Sequence, residues 1–173
     1  LDEGRAGFII REVAGMEAAA LADFERGVAM LNEGNYEKGV ELFEKVVALS
    51  PGLTAPHINL AMAYSGSGRP EPAERHLKSA LTLIPGHPVA GNEYGLLLRK
   101  NGRFAEARAI YEKTLDSFPE YLPVRRNLGI LCDLYLNDGP CALEHYQIYS
   151  EARPDNEQVK LWIADLRARL GRD

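Results

Sequence analysis

The sequence has no long apolar run. Its longest apolar stretches, such as Val46-Val47-Ala48-Leu49 and Gly95-Leu96-Leu97-Leu98, fall far short of the roughly 20 residues needed to cross a bilayer as a helix. There is no run of lysine or arginine either. With 25 acidic against 20 basic side chains the formal charge is −5, and a net acidic chain repels phosphate backbones, which argues against nucleic acid as a partner. The excess is local: residues 1–50 hold 10 acidic and 5 basic side chains, and the rest is balanced, a distribution that serves solubility.

Signatures of catalysis are also missing. There is no Gly-x-Ser-x-Gly elbow, no Gly-x-x-x-x-Gly-Lys-Ser/Thr phosphate loop and no Gly-x-Gly-x-x-Gly fingerprint, and Ser65-Gly66-Ser67-Gly68 reads as a helix end. None of His57, His76, His87 and His145 lies in a His-Glu-x-x-His or similar run, so no catalytic zinc and no other cofactor is expected. Acidic pairs such as Glu41 and Glu44 fall on the polar side of amphipathic segments, where solvated charge accounts for them. These absences argue against an enzyme.

What the chain does contain is a recurrence. Phe43, Leu77, Tyr111 and Tyr146 stand 34, 34 and 35 residues apart, and each is followed eight residues later by a proline, at 51, 85, 119 and 154. A period near 34 is the signature of stacked helix pairs, in which no unit buries its apolar face alone. With 46% apolar and 26% charged residues the chain can supply one continuous core.

The spacing predicts four units, about 20–53, 54–87, 88–121 and 122–156, each of two helices. A small residue recurs in the first helices at Gly27, Ala61, Gly95 and Gly129, where a partner helix can approach closely. Gly34, Gly68 and Gly102 stop those helices. Second helices are predicted over 36–49, 70–83, 104–117 and 139–152; Gly39, Ala73, Ala107 and Ala142 mark the tight crossing, and the large residue four positions on fills the space beside it. The prolines end each unit, since proline cannot continue a helix and biases the preceding residue away from helical torsions.

These residues resemble the tetratricopeptide repeat family over residues 20–156, although no unit carries the family's tryptophan and Arg26 stands where the first unit should have leucine. The resemblance implies an all-α fold, a right-handed α-solenoid of helix-turn-helix units. The expected organisation is an extended or poorly ordered segment at 1–15, four units within 16–156, and a capping helix and tail at 157–173. Val159, Trp162, Ile163, Leu166 and Leu170 give that last helix an apolar side to cover the final unit, so Trp162 reads as a packing residue. Residue 1 is Leu, so a signal or lipid-attachment segment is expected to escape this reading.

The fourth unit departs from the others. It is one residue longer through Leu134-Tyr135-Leu136-Asn137-Asp138-Gly139-Pro140, so its turn should be the least regular, with Pro140 in a helix's first turn. Cys132 and Cys141 lie almost equidistant from that turn on antiparallel helices, within reach of a disulfide if the compartment is oxidising and as two thiols if it is not. His145 shares a helix face with Cys141, which leaves a three-ligand metal site as a remote alternative.

The family resemblance implies that first helices line a concave groove that binds an extended peptide or a partner helix. By analogy the groove comprises Ile58, Asn59, Met62 and Ser65, then Asn92, Glu93, Leu96 and Arg99, then Arg126, Asn127, Ile130 and Asp133. Asn59, Asn92 and Asn127 can pair with a peptide backbone, or they can bond to neighbouring helices and hold the superhelical pitch. Met62, Leu96 and Ile130 offer sequence-tolerant apolar contact, and Arg99, Lys100, Arg125 and Arg126 make the later groove basic, suited to an acidic or polar segment. The carboxylate clamp of the family's chaperone-binding members is not reproduced, because Phe24–Val28 supplies only Arg26.

The expectation is a non-enzymatic scaffold for a partner protein or peptide. Residues 130–136 with 141–146 are similar to short bacterial repeat proteins of the cell envelope, including exported adaptor and pilotin types, which implies a periplasmic or outer-membrane-associated place rather than a cytoplasmic one. The alternative is a structural oligomer that self-assembles through its solenoid ends.

Overall fold

A computed structural model of the chain describes residues 16–171; the segment 1–15 singled out above lies outside them. Among the described residues there are nine helices and no strand. They are α1 (Ala18–Asn32), α2 (Tyr36–Leu49), α3 (Thr54–Gly66), α4 (Pro70–Leu83), α5 (Pro88–Lys100), α6 (Phe104–Ser117), α7 (Leu122–Leu134), α8 (Gly139–Ala152) and α9 (Glu157–Arg169).

Local sequence accounts for most of these bounds. Each even-numbered helix ends two residues before a proline, and the intervening Ser50, Ile84, Phe118 and Arg153 share nearly one backbone conformation, with φ between −138° and −130°. Proline in the next position disfavours helical torsions there, so the chain turns the same way four times. Side chains cap the starts: the carboxylate of Asp138 accepts from the Cys141 N–H at 3.1 Å, and the Asn156 carbonyl accepts from the Val159 N–H at 3.1 Å.

Within a unit the two helices are held at a distance set by one contact. Phe43, Tyr111 and Tyr146 are buried, and each presses its ring on a glycine of the preceding helix. A Cβ on Gly27 would stand 2.7 Å from Phe43, one on Gly95 2.2 Å from Tyr111, and one on Gly129 2.6 Å from Tyr146. The second unit keeps the summed volume by another choice, Ala61 with the shorter Leu77. Gly39 is different, since a Cβ there would meet Ala63 and Leu31 at 3.6 Å and beyond, an ordinary contact.

Units stack in series, α2 on α3, α4 on α5, α6 on α7 and α8 on α9. Across units, first helices also touch one another, α1 to α3, α3 to α5 and α5 to α7, whereas second helices have no comparable contact. A stack closer on one side than on the other curves toward that side. The first helices therefore line the inner face of an all-α solenoid.

The fourth turn is the irregular one. In the first three units a glycine at φ near 75° follows the helix, as at Gly34, and the next N–H reaches back to the carbonyl five residues earlier. Here Asn137 takes the left-handed conformation at φ 50°, Leu136 N–H bonds to Leu131 O, and Asp138 N–H bonds to Cys132 O at 2.9 Å. Cys132 and Cys141 are joined across this turn as a disulfide, with Cα atoms 6.0 Å apart. The bond pins α8 to α7 at the longest of the turns within units.

Two outcomes follow from this packing. Gly95→Ala should lower the unfolding free energy by about 2–3 kcal/mol through overpacking, with part of the loss recovered in Gly95→Ala/Tyr111→Leu, while Gly39→Ala should gain up to about 1 kcal/mol by helix propensity. Urea denaturation of the three proteins beside the parent measures all of these. Reduction of the Cys132–Cys141 bond, which closes a short loop, should cost about 2–3 kcal/mol in the same assay, and an unchanged midpoint would show that the bond adds no stability.

Candidate functional site

The inner face is built on α1, α3, α5 and α7, and the residues expected to line it meet different fates. Met62 is 37% exposed. Together with Ser65, Glu93, Leu96 and Lys100 it borders a shallow hollow of about 20 Å³ between α3 and α5. Burial pushes the Glu93 carboxyl above the usual carboxylate range, against the opposing effects of the Asn92 amide and the Lys100 ammonium. Ile130 is half-buried and leans on the core.

Other members of the set are engaged by the protein itself. Ile58 is only 5% exposed and packs with Ala80 and Ala90, so it belongs to the seam between units rather than to the open face. Asn59 donates to the Ala55 carbonyl of its own helix at 2.9 Å. Asn92 and Asn127 are both buried, and the Asn127 Nδ2 donates to the Asn92 Oδ1 at 2.8 Å. Asn92 and Asn127 thus bond between neighbouring helices, whereas Asn59 bonds within its own. A buried amide that found no such partner would cost about 1–3 kcal/mol, so the pair also fixes the spacing of α5 and α7.

The basic residues divide in the same manner. Arg99 donates to the Asn127 carbonyl at 3.5 Å and lies over the Tyr135 ring, 5.9 Å from its centroid. Arg125 donates through Nε to the Pro119 carbonyl at 3.0 Å and through Nη1 to His145 Nδ1 at 3.2 Å. Asp133 accepts from Arg169 at 2.7 Å and from the Tyr146 hydroxyl at 3.4 Å, tying α7 to α9 and α8. Arg126 is exposed and has no hydrogen-bond or ion-pair partner among the described residues.

His145 thus stands against an arginine and not beside the two sulfurs. The acidic group that does approach them is Asp138, within 4.8 Å of both, but its carboxylate already takes the Cys141 N–H and the Arg108 guanidinium. With the sulfurs bonded to each other, these residues do not fit a metal centre.

Two groupings escape the repeat pattern. His57 Nδ1 and His76 Nδ1 lie 3.0 Å apart, and His57 Nε2 is 3.1 Å from the Pro51 carbonyl. The carbonyl only accepts, so a neutral His57 would carry its proton on Nε2 and accept at Nδ1 from His76. No motif signals a pair 19 residues apart on two helices. The second grouping is a cleft of about 300 Å³ where Arg126 meets Tyr149, Arg153, Asp155 and Asn156. The sequence did carry a signal for Arg153, since its counterparts before the unit-ending prolines are Ser50, Ile84 and Phe118 and only this one is charged.

A curved stack of helix pairs, with an inner face on which a few side chains remain unengaged, defines the class as a helical-repeat protein. The comparisons with known proteins agree. Two tetratricopeptide repeat family profiles match residues 30–97 and 93–121, more than half of the chain between them, and the chain belongs to that family. It is 26% identical over 154 residues to the type IV pilus assembly protein PilF of Pseudomonas aeruginosa, which covers 88% of this chain but only 61% of that protein. The solved structure of Pseudomonas aeruginosa PilF matches with a TM-score of 0.79 at 24% identity, over 87% of this chain and 68% of that one. A MamA structure from Desulfovibrio magneticus matches at 0.76 and 17%, covering 91% and 88%. At these identities the structural likeness concerns the fold. Proteins of this repeat family generally mediate protein–protein interaction, and the fold is typically a non-catalytic scaffold.

Acid should loosen the array in two stages. Burial lowers the imidazole pKa of His76, helped by His57 and Arg75 and opposed by Glu44; burial likewise lowers that of His145, helped by Arg125 and opposed by Glu144 and Glu112. A depressed folded-state pKa means that the unfolded chain takes up the proton first, so stability should fall once the pH drops below about 6.5. Glu74, held at about 2 chiefly by hydrogen bonding from Arg103, adds a second loss between about pH 4.5 and 2. Urea midpoints at stepped pH check both, and His145→Gln should flatten the first stage; a profile level from pH 7 to 5 would contradict it.

Proposed function

We propose that the chain is a non-enzymatic adaptor that holds a segment of a partner protein along its inner face, within a bacterial envelope assembly. The observation that carries this reading is the placement of Met62 and Leu96, one per unit and 34 residues apart, on the curved inner side, where Met62 remains 37% exposed. An apolar side chain left open on a concave wall gives sequence-tolerant contact to an extended chain or a helix, and methionine adapts to either.

The likeness to a pilus assembly protein supports the assembly part of the proposal, since it runs through nearly the whole of this chain. The Cys132–Cys141 disulfide supports a place outside the reducing cytosol.

The test compares apolar-to-aspartate variants on opposite sides, a double one on the inner face and a single one on the outer. Met62→Asp/Leu96→Asp should lose at least tenfold in affinity for a native partner recovered on the immobilised parent chain. Leu49→Asp, at an outer-helix residue 57% exposed, should bind as the parent does. Circular dichroism verifies that both variants fold. Equal loss in both, or loss in neither, would remove the inner face from the reading.

A further inference from the structure

We propose that the cleft between the start of α7 and the turn that follows α8 is a carboxylate subsite, in which Arg126 and Arg153 grip an aspartate or glutamate side chain of the bound segment. The inference rests on the groove reading above and adds the chemical character of the segment.

The cleft lies between the first two turns of α7, the last turn of α8 and the 153–156 turn that leads into α9. α7 and α9 are joined near their C-terminal ends by the Asp133–Arg169 ion pair at 2.7 Å. They lack the side-by-side contact that joins α1 to α3, α3 to α5 and α5 to α7. The position 35 residues after Asn127 is Trp162, so the asparagine pairing that sets the α5–α7 spacing has no continuation on α9. At the opposite end, between Leu122-Pro123 of α7 and Asn156 before α9, the cleft measures about 300 Å³.

Its lining is rich in donors. Arg126 projects from the second turn of α7, and Arg153 is placed by the backbone turn that precedes each unit-ending proline. Neither guanidinium has a hydrogen-bond or ion-pair partner among the described residues, whereas the nearby Arg99, Arg108, Arg125 and Arg169 all do. The Tyr149 hydroxyl accepts from Asn156 Nδ2 at 3.4 Å, which leaves its own O–H to donate. The Asn156 oxygen is already taken by the Val159 N–H. The acceptor that fits two guanidinium forks and a phenol is a carboxylate.

Charge selects the occupant further. Asp155 also borders the cleft, so two guanidiniums face one fixed carboxylate and the site is one positive charge in excess. That balance suits a single carboxylate better than a doubly charged phosphate group. Exposed pairs of this kind contribute modestly to affinity, and their larger effect is on register and on the choice of partner.

The probe is N-acetyl-glutamic acid α-amide, which carries one side-chain carboxylate, titrated into the full chain while the arginine Nε–H resonances are followed by NMR. The Arg126 and Arg153 signals should move together and saturate while Arg99 and Arg125 stay in place. N-acetyl-glutamine α-amide should leave all four unmoved, and Arg126→Gln/Arg153→Gln should abolish the response and weaken capture of the native partner about fivefold. Uniform drift of every exposed arginine, the absence of a saturable shift, or tighter saturation by N-acetyl-phosphoserine α-amide would each overturn the carboxylate assignment. If the arginine variant captures its partner normally while Met62→Asp/Leu96→Asp does not, the subsite falls and the groove reading stands.

Discussion

The structure depends on a steric agreement between one small and one large residue in each helix pair. Where the large residue is aromatic, at Phe43, Tyr111 and Tyr146, the facing residue is glycine and the ring occupies the space a Cβ would need; where it is Leu77, alanine is tolerated at position 61. Close-packed interiors have few voids to absorb a mismatch, so this contact sets how near two helices come and thereby the thickness of every unit. All later geometry inherits that thickness. The stack can be curved and regular because four units of nearly equal size are joined by four nearly equal turns.

Between units the contacts are more polar. Tyr94 donates to Glu74, which also receives Arg103, and the Tyr64 hydroxyl donates to Glu44. Asn127 donates to Asn92, and Arg108 to Asp138. These bonds position one unit on the next; the exposed ion pairs among them are worth little singly, whereas the Asn92–Asn127 pair is buried and Glu74 largely so. They also decide which side chains remain available. The inner face has more polar residues than it can offer to a ligand, because its asparagines and most of its arginines already hold the curvature in place.

Much of the fold was legible beforehand. The second-helix bounds 36–49, 70–83, 104–117 and 139–152 coincide with α2, α4, α6 and α8, because proline and glycine act locally and recur at a fixed period. The irregular fourth turn was legible from a single inserted residue. The candidate site was much less so: Met62, Glu93 and Leu96 do share a hollow, but Ile58 sits in a seam and Asn92 and Asn127 bond to each other. Periodicity locates a residue on a helix face. It does not report whether a partner across the seam has already taken its hydrogen bonds.

The class of fold, the small–large pairing and the place of the irregular turn can be read from residue order, since each follows from interactions within one helix or between two adjacent ones. Only the folded stack shows that His57 and His76 share a hydrogen bond, that Asn92 and Asn127 face each other, and that the start of α7 and the turn after α8 bring Arg126 and Arg153 to one cleft. Those outcomes depend on how side chains meet across the seam between two helices, which the period of one helix does not specify. A shift of an ångström per unit, which leaves helix periodicity unchanged, is enough to make or break a bond of about 3 Å.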